Sequence, residues 1–135
     1  MQEIKTTDST PQRPEGERVL NALLLEININ DFIEKIKAES TWKDSDRNSM
    51  TVHKSDNMVV VLIGLHAGAE LKPHKAGGVL SLQLLQGAID FIVEQRKTTV
   101  SKGQMIVLQE NIFHSVVAQE ESFLLLTIAK SKEER

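Results

Sequence analysis

"GAELKPHKAGGVLSLQLLQG", Gly68 to Gly87, is the stretch that decides the fold of this chain. Glycines stand at both ends, where tight turns need a backbone with φ above zero. Pro73 fixes φ just ahead of His74. "LKPHKAGG" therefore reads as a turn-forming cluster, and "GVLSLQLL" after it as a strand.

The same alternation of apolar runs and turn residues continues outward in both directions. "MTVHK", "MVVVLIGLH", "AIDFIVEQ", "TTVSK", "QMIVLQ", "HSVVAQ" and "FLLLTIAK" are β-branched or apolar. "KSDN", "EQRKT", "SKGQ" and "AQEES" separate them as turns. In "AIDFIVE", Ile89, Phe91 and Val93 alternate imperfectly with Asp90 and Glu94, the pattern of a half-buried strand. About eight short strands at this spacing predict an all-β sandwich or barrel.

Ahead of the strands lies a different region. Residues 1–17 are polar, with prolines and a glycine, and read as a flexible arm with little to bury. "RVLNALLLEI", Arg18 to Ile27, reads as a short strand or packed extended segment. "NDFIEKIKAES" is the one convincing helix, with Asp31 as N-cap and Glu34 three residues on in capping-box spacing. Phe32, Ile33 and Ile36 share one face, so the helix covers an end or edge of a sheet. Trp42 belongs to the same cover.

Composition narrows the function classes. The chain has 135 residues, the size of one domain. Hydrophobic residues make up 40% and aromatics 4%, so Val, Ile and Leu must fill the core. A net charge of −3 with scattered basic residues argues against nucleic acid as a partner. Without cysteine, neither disulfides nor thiolate chemistry enter. The longest apolar run, Met58 to Leu65, is too short to span a membrane, and the N-terminus lacks a signal-peptide core. The expected location is cytoplasmic, with no membrane partner.

The spacing of glycines and histidines resembles the cupin superfamily. The first cupin motif runs glycine, five residues, His-any-His, three or four residues, glutamate, six residues, glycine. Gly68, His74 and Gly87 match it, while Ala76 stands at the second histidine and Leu80 at the glutamate. In the second motif Gly103 and His114 match, whereas Gln109, Asn111 and Ala118 replace its proline, glycine and asparagine. Ala88 to Lys102 separate the two motifs, as in compact microbial members. The resemblance covers roughly Met58 to Lys130 and implies a double-stranded β-helix, or jelly-roll barrel, over residues 18–130. The charged end, residues 131–135, is read as a solvated tail.

Cupins usually hold a divalent metal with three histidines and one glutamate, and two of those four positions are kept here. The resemblance puts His74 and His114 in one cavity, as contacts to a small-molecule ligand or as partial ligands of a divalent transition metal. In the family register Leu80, Leu82 and Leu84 share a face and make the cavity floor apolar, while Gln83 points away. Gln83 and Gln86 are then hydrogen-bonding or interface residues. His66 reads as an exposed turn residue, His53 as a solvent-facing strand residue, and Arg47 as part of the surface loop "SDRNS" that could meet a carboxylate.

The cofactor is thus none or a divalent metal, and no catalytic residue is identified. The favoured reading is a non-catalytic or sensory small-molecule-binding module, a homodimer as similar small cupins commonly are. The alternative is a cupin enzyme, oxygenase-like or isomerase-like with an incomplete metal-ligand set, or a metal-free catalyst using a histidine poised near neutrality.

Overall fold

A computed structural model of the chain describes residues 19–131. Helices α1 (Ile29–Ala38) and α2 (Ser40–Asp44) precede the strands. The strands are β1 (Arg47–Lys54), β2 (Met58–Leu65), β3 (Glu70–His74), β4 (Gly78–Gln86), β5 (Ala88–Val93), β6 (Arg96–Ser101), β7 (Met105–Leu108), β8 (His114–Ala118) and β9 (Ser122–Lys130). They form two antiparallel sheets, ordered β1-β2-β9-β4-β7 and β3-β8-β5-β6. This is the all-β jelly-roll architecture expected from the sequence.

The strand period assigns the faces. Leu80, Leu82 and Leu84 on β4 are at most 2% exposed, and Gln83 between them is exposed. Their register partners on β9 are Ile128, Leu126 and Leu124. Across the sandwich, β5 and β8 supply Ile89, Phe91, Val116 and Ala118 to the same core cluster. Aliphatic side chains fill this core, and Phe91 is its one aromatic member.

A second cluster lies on the outer face of the five-stranded sheet. Ile33, Ile36 and Trp42 from the helices pack on Met50, Val52, Leu62 and Phe123. The helical cover thus lies on the sheet's face rather than on an edge or end. Gly64 makes this close approach possible, because a Cβ there would meet the rings of Phe123 and Trp42. Asn48, 5% exposed on β1, fastens the end of α1 by donating to the Ile36 carbonyl at 3.1 Å and to Glu39 Oε1 at 2.9 Å.

Four local expectations need correction. Asn28, not Asp31, caps α1: its Oδ1 accepts from the Asp31 amide at 3.2 Å, which puts Asp31 in the first turn. There its carboxylate faces the positive end of the helix dipole. Second, α2 is a further short helix around Trp42. Third, "ELKPH" is strand β3, not turn. It lies at a sheet edge, where a proline's missing N–H can face outward, and the register shifts between Leu71 and His74 accommodate Pro73. Fourth, "SDRNS" is no loop throughout, since β1 begins at Arg47.

The segment from Val19 to Asn28 contains no strand beyond an isolated bridge at Val19. Leu20 is its buried anchor, with its carbonyl accepting from the Lys54 amide. Leu23 and Leu24 are fully to largely exposed. The arm expected over residues 1–17 and most of the charged tail lie outside the described residues.

Candidate functional site at the barrel mouth

The turns that frame the site have the backbone that the motif spacing called for. Gly68, Gly87 and Gly103 have φ of 85°, 90° and 88°. Asn111, standing where the cupin motif has glycine, also has a left-handed φ of 62°, a conformation asparagine tolerates better than most residues. Its amide donates to the Ala76 carbonyl at 2.9 Å, tying the two motifs together.

His74 on β3 and His114 on β8 are register partners, and their ring centroids lie 4.4 Å apart. Each ring is held the same way. His74 Nδ1 lies 2.8 Å from the Lys72 carbonyl and His114 Nδ1 lies 3.0 Å from the Ile112 carbonyl. A carbonyl only accepts, so each Nδ1 carries the proton and each neutral ring keeps its lone pair on Nε2. His74 is exposed, whereas His114 is 4% exposed. Burial pushes the His114 pKa below 6.5, aided by repulsion from His74 and opposed by the bond to Ile112. Among the described residues no buried side-chain N or O lacks a partner, so the unbonded Nε2 of His114 is reached by solvent.

The other two metal-ligand positions are apolar. Ala76 packs against the core, and Leu80 is 2% exposed within it. Among the described residues no group of three His, Cys, Asp or Glu is clustered to hold a metal. Two imidazoles do not fit the four-ligand set of the family, and they fall short of the three protein ligands usual for catalytic zinc.

Next to the histidines is a cavity of about 480 Å³ between the open edges of the two sheets. Phe91, Val93, Ile106, Val107, Leu108 and Ile112 line it, together with Thr98, Glu94 and Arg96. Neither histidine lines it, but its wall backs His114, since Phe91 stacks on that ring at 5.4 Å and the Ile112 carbonyl holds it. Sequence reasoning passed over Arg96 and Thr98 because "EQRKT" read as a turn. The available signal was the two-residue Glu94-Gln95 connection, which pairs Val93 with Arg96 and so fixes the face of β6.

The remaining candidates lie elsewhere. His66 is half-buried, stacked on Trp42 at 3.6 Å, and its Nε2 donates to the Trp42 carbonyl at 2.8 Å. It is therefore neither an exposed turn residue nor a cavity residue. His53 is half-buried, with Nε2 3.2 Å from Ser55 Oγ. Arg47 is engaged with Asp46 at 2.9 Å and with the Glu70 carbonyl at 2.7 Å, which occupies the fork that a carboxylate ligand would use.

No protein-family model and no curated protein matches the sequence. Solved structures do match the fold. A cupin 2 conserved barrel domain protein from Leptotrichia buccalis is 30% identical with a TM-score of 0.62, over 64% of this chain and 42% of that one. A conserved protein of unknown function from Streptococcus pyogenes is 25% identical at TM-score 0.62, over 66% and 78%. A cupin superfamily protein from Desulfitobacterium hafniense is 15% identical at TM-score 0.62, over 63% and 78%. With its two sheets, its left-handed motif glycines and these neighbours, the chain has the cupin fold.

Proposed function

We propose that this barrel is a small-molecule-binding module, non-catalytic or sensory, in which the ligand is contacted by His74 and His114. One observation carries the reading. Both Nδ1 atoms are bonded to carbonyls, which leaves two Nε2 lone pairs, and behind the His114 ring Phe91 and Ile112 line a cavity of ligand size. Neutral imidazole there accepts a hydrogen bond from a ligand hydroxyl or amide. The test is a metabolite screen by thermal shift, repeated on His74→Ala and His114→Ala. Hits that lose their shift in both variants support the reading, and hits indifferent to both refute it.

The second reading is a cupin enzyme with an incomplete ligand set. It draws on the side-by-side imidazoles and on the fold, which also matches a salicylate 1,2-dioxygenase from Pseudaminobacter salicylatoxidans (18% identical, TM-score 0.58, 62% of this chain and 26% of that one). At that identity the likeness speaks for fold alone. Metal analysis of untagged protein separates the readings: one full equivalent of a divalent metal, lost in His114→Ala, favours the enzyme.

A homodimer in the cytoplasm completes the proposal. No helix among the described residues is long and apolar enough to cross a membrane. Met58, Val79, Met105 and Val107 are exposed on the outer face of the five-stranded sheet beyond the helices. Burying such a patch against a second copy would remove it from water. Light scattering of Met105→Lys, monomeric where the parent is dimeric, tests this.

A further inference from the structure

Arg96 makes the cavity chemically lopsided. Register places Arg96 opposite Val93, Thr98 opposite Phe91 and Val100 opposite Ile89, so all three β6 residues share the inner face. Along that face burial falls from Val100, 1% exposed, through half-buried Thr98 to exposed Arg96. The opposite wall is Ile106 and Leu108 from β7. The cavity thus runs from an apolar depth to a hydroxyl and then to a guanidinium at its rim.

The guanidinium has no ion pair or side-chain hydrogen bond among the described residues. Its strand neighbour Lys97, on the opposite face, lies 3.9 Å from Asp90, and Arg47 is paired with Asp46. Glu94 lines the same cavity but does not pair with Arg96. Glu94 has a φ of 55°. It and Asn111 are the non-glycine residues with positive φ among those described, and Asn111 immediately precedes the lining residue Ile112. At Glu94 this backbone is what the two-residue hairpin turn between β5 and β6 requires, and it fixes where Glu94 and Arg96 stand at the rim.

We propose that the cavity takes a small organic acid, its apolar body between Phe91, Ile106, Leu108 and Ile112 and its carboxylate on Arg96, assisted by the Thr98 hydroxyl. The arginine fork matches a carboxylate in two parallel hydrogen bonds, whereas a neutral head group meets it in one. The inference rests on the reading of the barrel mouth as a small-molecule site and adds the class of molecule. Glu94 is the argument for the opposite charge, and the test includes it.

The probes are hexanoate, phenylacetate and 3-phenylpropionate with their uncharged amides, titrated into protein labelled at isoleucine and valine methyls. The acids should shift the Ile106 and Ile112 methyl signals, and their amides should bind about tenfold more weakly or worse. Arg96→Gln should weaken the acids by about tenfold or more and leave the amides unchanged. Arg96→Lys should recover part of the loss, because the charge returns without the fork. Glu94→Gln should leave acid binding equal or tighter, since it removes a like charge.

The proposal is overturned if acid and amide bind alike or if Arg96→Gln costs nothing. It is also overturned if Glu94→Gln weakens the acids or if none of the six probes moves those methyls. His74→Ala and His114→Ala keep the two readings apart. Acid binding lost with Arg96→Gln but kept in both histidine variants upholds the organic-acid site and sinks the histidine contact. Binding lost in the histidine variants with no preference for acid over amide does the reverse.

Discussion

Replacing Leu80 by glutamate, with Ala76→His beside it, tests the register of the whole mouth. Leu80 is 2% exposed and lies between Leu108 and Ile128 on the neighbouring strands. Losing its buried side chain costs about 2–5 kcal/mol by analogy with leucine truncations. Keeping the introduced carboxyl protonated in an apolar site at pH 7 costs up to about 3.7 kcal/mol more, from an ordinary pKa near 4.3 and about 1.36 kcal/mol per unit. The sum is roughly 5 kcal/mol or more, close to the full stability of a small domain. The sign of its pH dependence follows. A carboxyl whose folded pKa is raised is penalised at high pH and released as the pH falls toward its unfolded value. Urea melts of Leu80→Glu should therefore show less destabilisation at pH 5 than at pH 7, while Leu80→Gln shows no such difference. In the double variant three imidazoles and one carboxylate stand at family spacing, and added nickel or zinc should stabilise it. At one hundred times the dissociation constant the gain is about 2.7 kcal/mol, or on the order of 10 °C in Tm for a chain of this size. A double variant that folds as well as the parent without metal, or gains nothing from metal, refutes the family register that would bring position 80 to the histidines.

Three further outcomes follow from single contacts. Because burial lowers the His114 pKa, the unfolded chain binds that proton first, so His114 should make stability fall as the pH drops below about 6.5; His114→Phe should flatten that part of the pH profile in chemical denaturation. Asn48→Ala should cost about 2 kcal/mol in urea melts, since it removes two buried hydrogen bonds, to the Ile36 carbonyl and to the Glu39 carboxylate. Gly78→Ala should lower Tm steeply or prevent folding, because a Cβ there runs into the Ala129 carbonyl of β9; a normal melting curve would mean that β4 and β9 can separate at no cost.

The strands that were legible in the sequence are those whose burial follows chemistry. In "MVVVLIGL" and "GVLSLQLL" the apolar residues dominate, and both became central strands of the larger sheet. Strand β3 was not legible, because an edge strand carrying Lys72, Pro73 and His74 has four of its five residues exposed. The displaced cap has a similar cause. Asn28 and Asp31 are both short polar side chains three residues apart, and Ile29, one residue after Asn28, packs with the helix face. The five residues of α2 are too few for any periodic signal. Motif spacing paired His74 with His114, and the structure brings their rings together. It could not find the cavity, which depends on how β5 and β6 pair across a two-residue turn and on where two sheet edges part.

Ala76 and Leu80 set the surroundings of the two remaining histidines. With alanine and leucine at the positions of a second imidazole and a carboxylate, the apolar core extends up to the remaining histidines. That burial, not an acidic neighbour, sets the His114 pKa and keeps the ring neutral near pH 7. A neutral imidazole offers a lone pair but no charge. Charge at this mouth has instead moved outward to the β5–β6 turn, where Glu94 and Arg96 line the cavity without pairing with each other. A ligand that satisfies the guanidinium at the rim and the imidazole acceptors beside Phe91 would span both features. Its affinity should then depend on Arg96 through salt-sensitive charge and on His114 through imidazole protonation, so the two dependences separate in titrations that vary ionic strength and pH independently.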